Sequence, residues 1–154
     1  MEATIRREKL IIPTYGQGAA EELPLFSDLR INQGTRGYIY PYRMSDKLTM
    51  VKEDKAYDAI RLENDFIRVT VLPELGGRIY EGYDKVNDYN FVYKNNVIKP
   101  ALIGLCGVWV SGGIEFNYPQ HHRPTTFMPV ECTIEEGPNG EKTAWVGEIE
   151  SMYG

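Results

Sequence analysis

From residue 58 onward the chain is a train of short segments in which apolar and polar residues alternate, broken by Gly, Pro or Asn at intervals of roughly eight to twelve residues. A period of two sends successive side chains to opposite faces, so such a chain buries its apolar half only by stacking sheets. Ala59-Ile-Arg-Leu-Glu63, the turn Asn64-Asp65 and Phe66-Ile-Arg-Val-Thr-Val-Leu72 read as a hairpin. Ile67, Val69 and Val71 fall on one face, and Phe66, Arg68, Thr70 and Leu72 on the other. Pro73 ends that strand, and Gly76-Gly77 turns the chain into Arg78-Ile-Tyr-Glu-Gly-Tyr83. A polar turn over residues 84–89 precedes the strand Asn90-Phe-Val-Tyr-Lys94. Near the C-terminus, residues 128–136 and 142–150 flank Asn139-Gly140, the strongest short hairpin signal in the chain. The fold class is all-β, an antiparallel sandwich.

The first third is less regular. Lys9-Leu-Ile-Ile12 predicts a short strand stopped by Pro13, and residues 16–24 a loop. Gly37-Tyr-Ile-Tyr-Pro-Tyr-Arg43, interrupted by Pro41, predicts an edge strand or an extended segment lying across a sheet. Residues 45–57 are charged without a helical stripe and fit either a short helix or a connecting loop. One domain accommodates all 154 residues. The last residues run off the end of a strand, so the expectation is the N-terminal portion of a larger β protein.

Charge and composition exclude several classes. A net charge of -5, with basic residues scattered among acids, argues against a nucleic-acid partner. No apolar run approaches a membrane span, and the charged N-terminus has no signal-peptide core, so a cytoplasmic chain is the default expectation. Two cysteines, Cys106 and Cys132, are too few for a disulfide framework. No Cys/His cluster has zinc spacing, and no metal or cofactor is expected. Gly112-Gly113 lacks the Lys-Ser/Thr of a phosphate loop, and Ser111 is not in a Gly-x-Ser-x-Gly context.

What remains is the stretch from Gly107 to Thr126, which holds both histidines of the chain. An imidazole at His121 or His122 titrates near neutrality and suits proton transfer. Being adjacent, the two rings would face opposite ways on a strand, whereas in the loop implied by Pro119 and Pro124 either can turn inward. Glu115 and Asn117, two apart, would share a strand face and match vicinal hydroxyls. Trp109 offers a stacking surface or a core position with its N–H bonded. Arg78, after the glycine pair, is aimed into a cleft or pairs with Glu74 or Glu81 at the surface. Glu74 and Glu115 are the carboxylate pair that glycoside cleavage would require.

Leu72-Pro-Glu-Leu-Gly-Gly-Arg-Ile-Tyr80 resembles the early strand-turn-strand of galactose mutarotase-like proteins. Gly112-Gly-Ile-Glu-Phe-Asn-Tyr-Pro-Gln-His-His-Arg123 resembles a later segment of hexose-phosphate mutarotases, which has His-Gly where this chain has His-His. Ile12-Pro-Thr-Tyr15, Tyr40-Pro-Tyr42, the segment 72–78 and Trp109-Val-Ser-Gly-Gly-Ile-Glu-Phe-Asn117 together resemble a bacterial domain-of-unknown-function family that sits N-terminal to tetratricopeptide repeats. The resemblance implies a β-supersandwich that binds carbohydrate in a cleft across one sheet. It further implies His121 or His122 as general acid, Arg123 in the sugar pocket, and a general-base glutamate beyond residue 154. Catalytic roles are thus expected of His121, His122 and Glu115, and substrate contacts of Arg78, Trp109, Asn117 and Arg123. The competing reading is a protein-interaction module of a tetratricopeptide-repeat protein, with exposed strand edges that pair two copies.

Overall fold

The computed structural model describes residues 2–26, 39–104, 106–117, 124–149 and 151. Its body is an antiparallel five-stranded sheet with strand order β1-β4-β5-β6-β7. These strands are β1 (Thr4–Gln17), β4 (Leu48–Glu63), β5 (Ile67–Leu72), β6 (Arg78–Asp84) and β7 (Tyr89–Asn90). Three hairpins complete the described chain: β2 (Pro24–Phe26) with β3 (Ile39–Arg43), β8 (Pro100–Gly104) with β9 (Gly107–Val110), and β10 (Glu131–Glu136) with β11 (Lys142–Gly147). The all-β antiparallel expectation holds. Among the described residues no helix is long and apolar enough to cross a membrane.

One face of the sheet carries the core. Leu10 stands opposite Tyr57, and Ile12, Ala59, Leu72 and Tyr80 join them. Val108 and Val110 of β9, with Ile98 and Phe127, close over this surface as a second layer. Complete burial of a side chain such as Leu72 contributes about 1.5–3 kcal/mol. The opposite face buries Ile60 and Val71, which are cross-strand partners. There the β10–β11 hairpin lies against the sheet, with Arg7 donating to the Cys132 carbonyl at 3.1 Å and Gly77 lying beside Val130 and Val146.

The hairpin predicted at 59–72 is present, and Asn64 Oδ1 accepts the amides of Phe66 and Ile67 at 2.9 Å each to fix its turn. Other expectations are corrected. β1 does not stop at Pro13 but runs through it, because β1 is an edge strand and an edge tolerates a missing N–H. Residues 48–57 are neither helix nor loop: they form the first part of β4 and pair with β1 in a long two-stranded ribbon. The strand predicted at 90–94 shrinks to Tyr89–Asn90, since the Phe91 amide bonds Gly82 O and the chain then bends over Gly82. Glu115 and Asn117 are not on a strand, and the backbone of this segment meets the sheet through an isolated bridge between Ile114 and Ile79.

Candidate functional site

Arg78, Trp109 and Glu115 come together. Arg78 opens β6 with its side chain turned into the protein, leaving 2% of it exposed. One guanidinium nitrogen, Nη1, donates to the carbonyls of Val110 at 2.6 Å and Gly112 at 2.5 Å. Nη2 reaches Glu115 Oε2 at 3.2 Å, the same oxygen that accepts Trp109 Nε1 at 2.9 Å. The surface pairing of Arg78 with Glu74 or Glu81 is therefore replaced by a buried pairing with Glu115. Burial pulls the guanidinium below its ordinary pKa, and the charge and hydrogen bond of Glu115 work against that pull. An arginine remains protonated under such conditions. Its Nε is buried with no hydrogen-bond partner among the described residues.

This cluster acts as a bracket. Gly113 has φ +73, and a Cβ there would collide with Ile79 O and press on the Arg78 side chain. Only glycine lets the loop lie this close to the strand. Its amide donates to Tyr93 O at 2.7 Å, and Asn95 Nδ2 donates to Ser111 Oγ at 2.7 Å on the other side. The loop is thereby clamped between β6 and residues 93–95. Asn117, the last described residue of this run, is surface-exposed.

His121, His122 and Arg123 lie outside the described residues. The segments on either side of them are anchored to one short stretch. Before them, Ile114 and Ile79 exchange backbone hydrogen bonds at 2.9 and 3.2 Å. After them, the Gly76 amide donates to Met128 O at 2.8 Å, and the Val130 amide to Pro73 O at 3.0 Å. Gly76, with φ +71, presses so closely on the Thr125 and Thr126 backbone that no Cβ fits.

Next to that returning segment a cavity of ≈ 240 Å³ opens on the core face of the sheet. Tyr15, Tyr57 and Phe127 supply aromatic surface, while Thr14, Lys55 and Glu74 supply polar groups. Thr14 Oγ1 and Tyr57 Oη are hydrogen-bonded at 3.0 Å, and Lys55 Nζ lies 3.1 Å from Glu74 Oε2 and 4.4 Å from the Tyr57 ring centre. Glu74 Oε1 also accepts the Asp58 amide at 2.9 Å. Glu74 lines this cavity and Glu115 does not, so the two carboxylates nominated as a pair are assigned different surroundings. Apolar walls with a few fixed donors and acceptors are the common form of a small-ligand site.

A second polar cluster was not anticipated as a site. Glu81, buried in β6, accepts Lys94 Nζ at 2.8 Å, Arg68 Nε at 3.1 Å and Thr70 Oγ1 at 3.1 Å, with Arg61 Nη1 at 3.9 Å. Burial opposes ionisation of this carboxyl, but hydrogen bonds and charge from Lys94 and Arg68 outweigh it and bring its pKa to about 2. The signal was present in the strand registers: Arg61 pairs with Thr70, and Thr70 with Glu81, so three polar residues line one row of the sheet. Among the described residues no group of three or more His, Cys, Asp or Glu is placed to hold a metal ion.

The family model of a domain of unknown function, DUF5107, matches residues 35–154. A solved structure of a TPR-domain containing protein from Parabacteroides distasonis is similar to this chain, with 27% sequence identity and a TM-score of 0.73. The match covers 86% of this chain and 22% of that protein, so the chain spans about a fifth of the neighbour's length.

Proposed function

The chain belongs to the DUF5107 family, and on that footing we propose that its all-β body is a mutarotase-like sandwich that binds a neutral carbohydrate on the core face of the main sheet. The observation that carries this reading is the ≈ 240 Å³ cavity beside the returning 124–129 segment. Tyr15 and Phe127 present flat apolar surface, while Thr14, Lys55 and Glu74 present hydroxyl, ammonium and carboxylate groups to the same space. That combination suits a sugar, which has C–H faces and a rim of hydroxyls that both donate and accept. In this reading Arg123 and one of His121 and His122 contribute from the adjoining segment, and the bracket of Arg78, Trp109 and Glu115 holds that segment's near end. Acid/base work at an anomeric centre belongs to the longer protein, with the imidazole as acid.

Calorimetric titration of the full-length protein with glucose, galactose and their oligomers tests the proposal. Saturable heat that falls about tenfold or more in Glu74→Gln and in Tyr15→Ala supports it. Absence of heat with every sugar at millimolar concentration overturns it.

A second reading is favoured by a separate observation. β5 pairs only with residues 60–63 of β4, leaving residues 48–59 of that strand without a strand partner on that side among the described residues. Met50 and Val51, 77% and 61% exposed, stand on this open ribbon. Such an edge is a template for strand addition by a second copy.

A further inference from the structure

The cluster around Glu81 does more than neutralise a buried carboxylate. It lines a cleft of ≈ 330 Å³ whose walls are Leu10, Ile12 and Pro13 on one side and Arg61, Arg68, Tyr80, Glu81 and Lys94 on the other. Ile98, packed in the core, belongs to the lining of the first cavity and not of this one.

The charges do not cancel. Arg61 is taken by Glu8, at 2.6 Å through Nε and 2.5 Å through Nη2. Arg68 and Lys94 share the single charge of Glu81. Three cations against two carboxylates leave one positive charge in a partly desolvated space. The next shell adds to it, because Arg6, shared between Glu8 and Glu63, and Lys85, held by Glu63, bring two cations and one further carboxylate. Donor capacity is left over as well: among the described residues Arg68 hydrogen-bonds Glu81 through Nε and Nη2 and lies over the Tyr83 ring, and Arg61 Nη1 has nothing nearer than Glu81 at 3.9 Å. The body of the cleft is apolar and aromatic, with the Lys94 ammonium 5.7 Å from the Tyr80 ring centre.

We infer that this cleft binds a small organic acid through a single carboxylate. The surplus positive charge draws an anion, and the apolar and aromatic walls of the cleft favour an organic acid over inorganic phosphate. The free edge of a guanidinium is a planar donor that fits a carboxylate, and the Lys94 ammonium adds a second contact. Leu10, Ile12 and the Tyr80 ring receive the apolar or ring-shaped remainder. The site stands apart from the carbohydrate cavity and does not depend on that reading.

Binding of benzoate and cyclohexanecarboxylate to the full-length protein, followed by calorimetry, tests the inference against their uncharged counterparts benzyl alcohol and cyclohexylmethanol and against inorganic phosphate. Arg68→Gln removes the guanidinium, and Asn96→Asp sets an opposing charge at the exposed rim of the cleft without touching the Glu81 pairs. At least one of the two acids is expected to bind, with affinity falling about tenfold or more in Arg68→Gln and severalfold in Asn96→Asp. Should Arg68→Gln not fold, Asn96→Asp decides. Equal binding of the uncharged counterparts, binding of phosphate alone, no binding of either acid at millimolar concentration, or affinity unchanged in Asn96→Asp each overturns the inference.

Discussion

At the scale of single residues, two buried charges set the chemistry of this molecule, and each makes a measurable claim. Arg78 is held by two carbonyls and by Glu115 in a space from which water is excluded. Arg78→Met orphans those acceptors and leaves the Glu115 carboxylate with the Trp109 N–H and no charge partner from β6. A loss of about 3–4 kcal/mol in urea denaturation is expected. The double variant Arg78→Met/Glu115→Gln should lose less than the sum of the single losses, because both changes remove the same Arg78–Glu115 pair. Glu81 makes a claim about pH. Its carboxyl, brought from 4.5 to about 2 in the fold, contributes stability that is complete above the unfolded value and drains away as pH falls from 4.5 towards 2. The amount is about 3 kcal/mol. Thermal melts at descending pH should therefore show Glu81→Gln less stable than the parent at pH 7, with the gap closing across that window.

At the scale of elements, legibility followed burial. The 59–72 hairpin and the β10–β11 hairpin were readable because alternation coincided with turn residues at Asn64-Asp65 and Asn139-Gly140. The β1–β4 ribbon was not, because most of residues 48–56 are exposed on both sides and no apolar face marks the period. Lys52-Glu-Asp-Lys55 therefore gave no strand signal, although the backbone there pairs with residues 12–15. The convergence of Arg78, Trp109 and Glu115 was half visible: the residue types stood out, but the choice of Glu115 over Glu74 or Glu81 depends on a glycine loop reaching across to β6. Gly113 makes that reach possible. Gly113→Ala, facing both the positive φ and the Ile79 carbonyl, should cost about 2–3 kcal/mol in denaturant titration. The Glu81 row was hidden for another reason: a charged residue in a strand pattern is read as solvent-facing, and only the hairpin registers bring Arg61, Thr70 and Glu81 level.

At the scale of the whole molecule, the sheet is closed unevenly. On the outer side of β1, Ile98 forms a short parallel bridge to Thr14, with the Ile98 amide bonding Pro13 O at 2.9 Å, while β4 projects past β5 with its backbone open. The Asp58 amide alone on that projecting edge is taken by a side chain, that of Glu74, among the described residues. Hydrogen exchange should accordingly be fast at the outward amides of residues 49–57 and slow at 60–63. If copies meet along this edge, Val51→Lys should shift light scattering towards the monomer, and unchanged mass would count against pairing there.

The anchoring of both sides of the twin-histidine run to residues 73–79 has a practical reading. The turn acts as the fulcrum for two separate arms, one hung from Ile79 and the other from Pro73 and Gly76. Alterations at Gly76 would thus be felt on the second arm and alterations at Arg78 on the first. Under the carbohydrate proposal, a screen for loss of sugar affinity should find this turn as often as His121 and His122.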